Sequence, residues 1–395
     1  MRDRQLSLDV FRGATVALMI LVNNPGSWKH LYPPLAHAPW HGCTPTDLVF
    51  PFFLFAVGNA LALVMPALRA GGPAVFWPKL LRRTLLIFAI GVALNAAPFL
   101  RWDAAGELIP RDWAQLRTLG VLQRIALAWG AAALIVWWAG RLGSGWEQRG
   151  AWAAVVALLL GYAAACLIWG APGDAYSLAG WFGTALDRTV LGAAHLYQGE
   201  GQPFDPEGLA STAPAVAQVL LGWWVGRVLS TGRVNAETAL RLFLIAMALG
   251  LAAYAASLLM PVNKKIWTSS YVLLTSALAV ACLACLVWRL DLPVRASQAM
   301  PGWVRFGQVF GKNALFVFVM SGLVPRVLSL LRWAEGVDAQ GQPRFITPLP
   351  WIYRNVFADI GSDPRLGSLL FALANLALYW ALAAWLDRRR IYIRA

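Results

Sequence analysis

Charge is what this sequence has least of. Asp, Glu, Lys and Arg make up 13% of its 395 residues, roughly half the ~25% of a soluble globular chain. Too few polar segments remain to cover a water-soluble core of this size, so the soluble classes are excluded. Cysteine is as scarce, with four residues. Cys166, Cys282 and Cys285 fall in apolar runs and only Cys43 falls in a connection, which excludes a disulfide framework. Cys282-Leu-Ala-Cys285 has C-x-x-C spacing. It has neither a second pair nor a βαβ context, so these thiols are expected to pack within a membrane helix. Four scattered histidines without a Cys cluster give no protein-bound zinc site, and no metal is expected. Phosphate-loop, dinucleotide and H-E-x-x-H signatures are absent, as are low-complexity linkers and internal repeats.

What the chain has instead is apolar length. It is 59% hydrophobic, with a mean hydropathy of +0.58, and runs near the ~20 residues needed to cross a bilayer recur throughout. Ten spans fit, near 8–24, 47–67, 83–100, 119–139, 151–171, 213–230, 240–260, 268–288, 312–331 and 367–387. The expected fold is an all-α polytopic membrane protein with about 10 transmembrane helices, forming a single transmembrane domain over 1–395. The first apolar run ends near Val22, too far from Ala36-His37-Ala38 for a cleavable leader, so it is read as an uncleaved span.

The net charge of +14 does not indicate nucleic acid. Assigning connections alternately to two sides gives ~20 Lys/Arg against ~6 Asp/Glu on the N-terminal side, and ~13 of each on the other. The whole excess therefore sits on one side, the positive-inside bias that puts both termini in the cytoplasm.

The outer connections carry the chemistry-bearing residues. The first, Asn23 to Thr46, holds His37, Trp40 and His41, stiffened by Pro33, Pro34, Pro39 and Pro45. Histidine exchanges protons near neutral pH, and Asp47, ten residues on, is placed to orient the ring as a triad carboxylate does. The alternative is an interfacial turn whose histidines merely meet solvent. Asn23 is placed either to cap its helix or to donate to a developing oxyanion. The longest connection, 172–212, carries Asp205 and Glu207, and a short one carries Lys264 and Trp267. Aromatics with carboxylates suit a sugar or an amine, against the alternative of an interfacial aromatic belt.

Charges inside spans mark pathways or pairs. Arg12, Lys312 with Asn313, and Gln123-Arg124 are the candidates. Arg12, Lys312 and the Arg82-Arg83 pair suit phosphate groups at the inner mouth; topology and snorkelling are the alternative, especially for the pair.

Seven motifs in order then carry a resemblance: Ser7-Leu-Asp-Val-Phe-Arg-Gly13, Leu21-Val-Asn23, His37-Ala-Pro-Trp40, Thr46-Asp-Leu-Val-Phe-Pro51, Gly120-Val-Leu-Gln-Arg124, Phe204-Asp-Pro-Glu-Gly208 and Pro261-Val-Asn-Lys264. Together they resemble the heparan-α-glucosaminide N-acetyltransferase family, bacterial members included, from about residue 5 to 387. No counterpart of the lysosomal enzyme's luminal N-terminal domain is expected here.

The resemblance implies a transmembrane acyltransferase. Acetyl would move from cytosolic acetyl-CoA to the amine of glucosamine, or of a terminal glucosaminide, on the periplasmic side of a bacterial inner membrane. It implies that His37, Asp47 and Asn23 are catalytic. His37 is then either general base or acetyl carrier. Arg12, Gln123, Arg124, Lys312 and Asn313 are expected toward acetyl-CoA, and Trp40, His41, Asp205, Glu207, Lys264 and Trp267 toward the acceptor. Trp40-His41-Gly42 stands where a family member has Trp-Asn-Gly, so a second imidazole competes with His37. Membrane lipid, acetyl-CoA and an amino sugar are the expected partners, and the resemblance admits a homodimer. Two other readings fit the spans: a sugar or amino-sugar permease, and an O-acyltransferase of envelope glycans. Against the permease, no inverted repeat is evident.

Overall fold

Apolar runs interrupted by Gly and Pro leave a chain no way to satisfy its backbone in lipid except as packed helices. The computed structural model, which describes residues 5–103, 105–143, 145–231, 234–292, 301–337 and 341–393, follows that logic. Arg2, Arg4, Arg233, Arg295 and Arg394, which enter the charge bias, lie outside the described residues.

Helices occupy all ten expected positions: α1 (Leu6–Asn23), α2 (Val49–Ala70), α3 (Gly72–Ala96), α4 (Val121–Arg141), α5 (Trp146–Trp169), α7 (Thr212–Ser230), α8 (Ala236–Ser257), α9 (Ser269–Leu286), the pair α10 (Gly302–Lys312) and α11 (Ala314–Leu328), and α13 (Pro364–Arg388). Two shorter helices, α6 (Phe182–Leu191) and α12 (Pro348–Ile352), lie in connections. Seven helices are individually long and apolar enough to cross a membrane, or eight with α10 and α11, which bend by 79° where they meet. The expected all-α polytopic membrane fold is what the chain adopts. α3 falls short of the apolar criterion because it carries Lys79, Arg82 and Arg83. Among the described residues the only strands are two short hairpins, Leu100–Trp102 with Leu108–Pro110 and Trp333–Val337 with Pro343–Ile346. Both lie in connections that sequence reading left as loops.

Glycines set the closest helix contacts. A Cβ on Gly58 of α2 would lie 2.1 Å from the Val219 carbonyl oxygen, and one on Gly222 of α7 would lie 2.1 Å from that of Phe55. α2 and α7 therefore cross backbone to backbone, the geometry small residues permit in membranes. α1 meets α10 in the same way at Gly13, where a Cβ would come within 1.7 Å of the Gly307 carbonyl oxygen. Leu160, Leu167, Met247, Leu251 and Leu378 point outward from α5, α8 and α13, as lipid-facing residues do. Cys282 and Cys285 share one face of α9, being three residues apart, and that face is exposed. The expectation that they pack inside the bundle is corrected: they face its outside.

Contacts sort the connections into two faces. Gly42 N donates to Val262 O at 2.8 Å, Trp40 Nε1 to Tyr176 O at 2.8 Å and Thr118 N to His195 O at 3.1 Å. Four connections thus converge at one end of the bundle. At the other end Gln5 reaches Leu229 O, Lys312 pairs with Asp387, and Asn313 bonds the backbone of Ile391 and Ile393. That second face carries residues near both chain ends.

Candidate active site

The first connection folds around Asp47. Thr44-Pro45-Thr46-Asp47 forms a 3-10 turn in which Asp47 N donates to Thr44 O at 2.9 Å, while Thr44 N donates back to Asp47 Oδ2 at 3.0 Å. The bond from Thr44 N to the Asp47 carboxylate is the reach-back half of a capping box. Ala38 N also donates to Oδ2 at 3.0 Å, and Thr44 Oγ1 and Thr46 Oγ1 fasten the strand of prolines through Ala36 O and Pro34 O. Tyr271 of α9 donates its hydroxyl to Asp47 O from below. The carboxylate is 1% exposed and has one oxygen left for a ring.

That oxygen takes His37. Nδ1 lies 2.7 Å from Asp47 Oδ1, with the imidazole 40% exposed. An ionised carboxylate can only accept, so the contact fixes the proton on Nδ1 and leaves Nε2 with its lone pair. A buried acceptor holding an accessible ring is the arrangement general base or nucleophilic chemistry requires.

Lys264 completes the cluster. Its Nζ lies 2.9 Å from His37 Nδ1, 3.3 Å from Nε2 and 3.4 Å from Asp47 Oδ1. Burial holds the ammonium below the ordinary lysine range, although Asp47 pulls the other way. Asn263, one residue earlier, is buried and donates from Nδ2 to His41 Nδ1 at 3.3 Å. His37 and His41 therefore both meet the 261–268 segment. Cys43 is no rival nucleophile, because burial, then the charge of Asp47, push its thiol up to about 11.

Beneath lies a buried ionic cluster. In Phe204-Asp-Pro-Glu-Gly208 the Asp-Pro pair makes a turn, with Gly208 N donating to Asp205 O at 2.9 Å. Arg117 donates to both oxygens of Asp205, at 2.8 and 2.6 Å, and also to Glu207, with its guanidinium 5.0 Å from the Tyr197 ring centre. Burial alone would raise the Glu207 carboxyl, but the charges of Arg117, Arg124 and Lys264 outweigh it and hold it below the usual range. Lys264 thereby links this cluster to His37. Arg124, fully buried at the start of α4, donates to Gly208 O at 3.0 Å and to Ser211, beside the Trp267 ring. Its Nε and Nη1 have no hydrogen-bond partner among the described residues.

Several expectations are corrected by this geometry. Arg124 and Gln123 were grouped with Arg12 and Lys312, but α4 begins at Val121 and so puts both on the His37 face. Gln123 is buried and donates to Thr118 O at 3.1 Å. Asp205 and Trp267, expected to touch the acceptor, are 0% and 1% exposed. Asp205 is spent on Arg117, and Trp267 is wedged against Phe50 and Tyr271 with φ at 54°, a strained value for a bulky residue. They shape the site from below rather than line it. Glu207 is held in the same ion pair, with 13% of its side chain exposed. Asn23 is exposed at the end of α1 and joins none of the His37, Asp47 or Lys264 contacts; Asn24 supplies the local bond, to Ile20 O at 2.9 Å. Trp40 and His41 are accessible and adjoin His37.

At the other face Arg12 donates to Asp9 at 2.8 Å and to Gly311 O at 2.9 Å. Lys312 pairs with Asp387 at 2.8 Å, and Asn313 ties down the C-terminal segment. Arg83 lies near enough for the Arg12 charge to act on it, stacks 4.6 Å from the Trp129 ring centre, and keeps a buried Nε without a hydrogen-bond partner among the described residues. Sequence reading offered Arg83 to phosphate groups with topology and snorkelling as the alternative; its burial against Trp129 and its place near Arg12 are what the structure adds. Arg117 was not singled out in the sequence, because its partners Asp205 and Glu207 lie 88 and 90 residues away.

Two curated proteins of one name are similar to this chain. A human protein named heparan-α-glucosaminide N-acetyltransferase is 29% identical over 322 residues, covering 70% of this chain and 47% of the relative. The mouse protein of that name is 26% identical over 326 residues, covering 70% and 48%. The chain is a relative of the heparan-α-glucosaminide N-acetyltransferases. It spans about half the length of these relatives, and the match covers less of the chain than the motifs suggested. No family model matches.

Proposed function

We propose that the protein is a transmembrane acetyltransferase, moving acetyl from acetyl-CoA to the amine of glucosamine or a terminal glucosaminide. The acceptor binds at the His37 face, toward the periplasm of a bacterial inner membrane, and the donor's phosphates bind at the face near both chain ends, in the cytoplasm. One observation carries the reading: a half-exposed imidazole held by a buried, fully bonded carboxylate, in a chain related to enzymes named for this transfer.

The chemistry follows from that pair. A protonated amine cannot attack a thioester, so His37 Nε2 takes the amine proton as the N–C bond forms and the C–S bond breaks. The proton then leaves with the thiolate as free thiol. Asp47 stabilises the imidazolium that forms transiently. Lys264 holds the cluster's charge near balance, since one ammonium faces one carboxylate in the resting state. At the donor end, Arg12 and the unpartnered Nε of Arg83 fit an anionic group, while Lys312 is already held by Asp387.

The test is thiol release by purified protein supplied with acetyl-CoA. Release should depend on glucosamine and vanish in His37→Ala; unchanged turnover in that variant removes His37 from the mechanism. Glucosamine counterflow without acetyl-CoA would instead mark a permease, and hydroxyl-sugar acceptors an O-acyltransferase.

A further inference from the structure

Beside His37 opens a cleft of about 550 Å³, inside the ~300–1,000 Å³ range of small-molecule sites. A single hexose belongs at the small end of that range, so this cleft has room beyond one ring. Its near end is Pro39, Trp40 and His41, the residues that follow His37, with Pro261 three residues before Lys264. Its far end is the 173–178 segment together with Glu200.

Its walls are built rather than incidental. Trp40 is fixed by its indole N–H to Tyr176 O at 2.8 Å, by Phe204 at 5.7 Å between ring centres, and by Lys265 Nζ at 5.7 Å from the ring. Tyr176, half-buried, adds a second aromatic side chain to the wall. Polar groups flank the rings: Asp174, which accepts from Ser177 Oγ at 2.6 Å, and Glu200, held by Lys265 Nζ at 2.6 Å. Aromatic rings against the apolar faces of sugars, with carboxylates for hydroxyls, are carbohydrate chemistry. The described lining includes two carboxylates and no Lys or Arg. Lys265 neutralises Glu200, whereas among the described residues Asp174 has a hydroxyl partner and no cation, so one carboxylate of the lining is uncompensated.

We infer that this cleft is a second sugar subsite, taking the ring next to the acetylated amino sugar, and that it selects uncharged or amino sugars over uronates and sulfated sugars. The inference rests on the acetyl-transfer reading for the position of the first ring. An anionic second ring would lie against Asp174 and be repelled, whereas hydroxyls or an ammonium there are held. The acceptor class that fits best is an oligosaccharide of glucosamine type without acid groups.

The experiment compares three acceptors with purified protein and acetyl-CoA: glucosamine, a β-1,4-linked glucosamine disaccharide, and a glucosaminyl–uronic acid disaccharide. Thiol release gives kcat/KM, and calorimetry without acetyl-CoA gives binding. The glucosamine disaccharide should exceed the monosaccharide by about tenfold, and the uronate disaccharide should not. Tyr176→Ala should remove the gain while leaving monosaccharide turnover unchanged, and Asp174→Lys should turn preference toward the uronate. Equal values for mono- and disaccharide, or an unaltered gain in Tyr176→Ala, overturn the subsite. Disaccharide binding lost in Tyr176→Ala supports the subsite even if no acceptor releases thiol. That last result would fell the transfer reading alone.

Discussion

Lys264 and His37 stand 227 residues apart in sequence, yet the lysine Nζ lies 2.9 Å from His37 Nδ1. The contact is possible because Gly42 N bonds Val262 O and draws the 261–268 segment over the first connection. It places a cation against both members of the His37–Asp47 pair. If this ammonium balances the carboxylate during turnover, kcat/KM should fall through an alkaline inflection below the ordinary lysine value of 10.5, since burial lowers the Lys264 pKa. Lys264→Arg keeps the charge and should abolish that inflection. A profile identical in wild type and Lys264→Arg would show that Lys264 does not titrate in the mechanism.

The orienting role of Asp47 makes a separate prediction. Asp47→Asn keeps the volume but loses the acceptor-only character that fixes the Nδ1–H tautomer. Thiol release should fall by roughly 10²- to 10⁴-fold, the range assigned to a positioned acid–base group. Binding of the acceptor, measured by calorimetry, should change far less. Equal losses in binding and turnover would mean the substitution has disrupted the loop, not the ring.

Asp187 sets a pH dependence of stability. Its carboxyl on α6 is 1% exposed, Oδ1 accepts from Leu209 N at 2.9 Å, and Oδ2 has no hydrogen-bond partner among the described residues. Burial, with help from Asp205, pushes its pKa from 3.8 up to about 6. The folded state therefore keeps a proton that the unfolded chain has released between those values. Stability from this group is complete below the lower value and is lost as pH rises through about 6, a change on the order of 3 kcal/mol. The melting temperature in detergent should drop from pH ~5 to pH ~7, and Asp187→Asn should flatten the drop. A slope unchanged in Asp187→Asn assigns it to other groups.

How much of this was legible in the sequence depended on the range of the interactions. Helices stand at all ten expected positions, and for the seven or eight that are long and apolar enough to cross a membrane, apolar length alone made them readable. His37 with Asp47 was readable because ten residues of proline-stiffened chain separate them. Lys264 was flagged as an acceptor contact, yet its place beside His37 depends on a hydrogen bond between segments more than 200 residues apart, which no local pattern encodes. Arg124 was misplaced for a different reason. With the expected start at 119 or the observed one at Val121, Arg124 lies within about a turn and a half of the same helix end, so grouping it with the charges of the opposite face was an error of side, not of boundary. The burial of Asp205 and Trp267 was invisible for the same reason as Lys264: the partner, Arg117 in one case and Phe50 in the other, lies far away in the sequence.

The α2–α7 crossing offers a test of the scaffold independent of catalysis. Gly58→Val would put branched carbon where a single Cβ already falls 2.1 Å from Val219 O and 2.6 Å from Trp223 N. Both neighbours are backbone atoms of a buried helix, so neither can turn aside as a side chain would. The helices must separate, at about 1–3 kcal/mol for overpacking of this kind, with a lower melting temperature in detergent. Gly161→Val on α5, where a Cβ meets nothing within 4 Å, is the control and should leave it unchanged. Equal effects at the two positions would show that the crossing is looser than its backbone distances imply.

The Arg117 ion pair should be the more costly one to break. Asp205 is 0% exposed and Glu207 is 13% exposed, and both rely on this guanidinium. Arg117→Ala leaves two carboxylates facing each other without their shared partner, a loss of about 3–5 kcal/mol for a buried pair. Arg117→Lys restores charge but not the two parallel bonds to Asp205, so it should recover only part of the melting temperature. A double variant, Arg117→Ala with Asp205→Asn, removes the isolated charge and should lie above Arg117→Ala alone. If the double variant is no more stable than the single, the cost lies in lost packing against Tyr197, not in the stranded carboxylate.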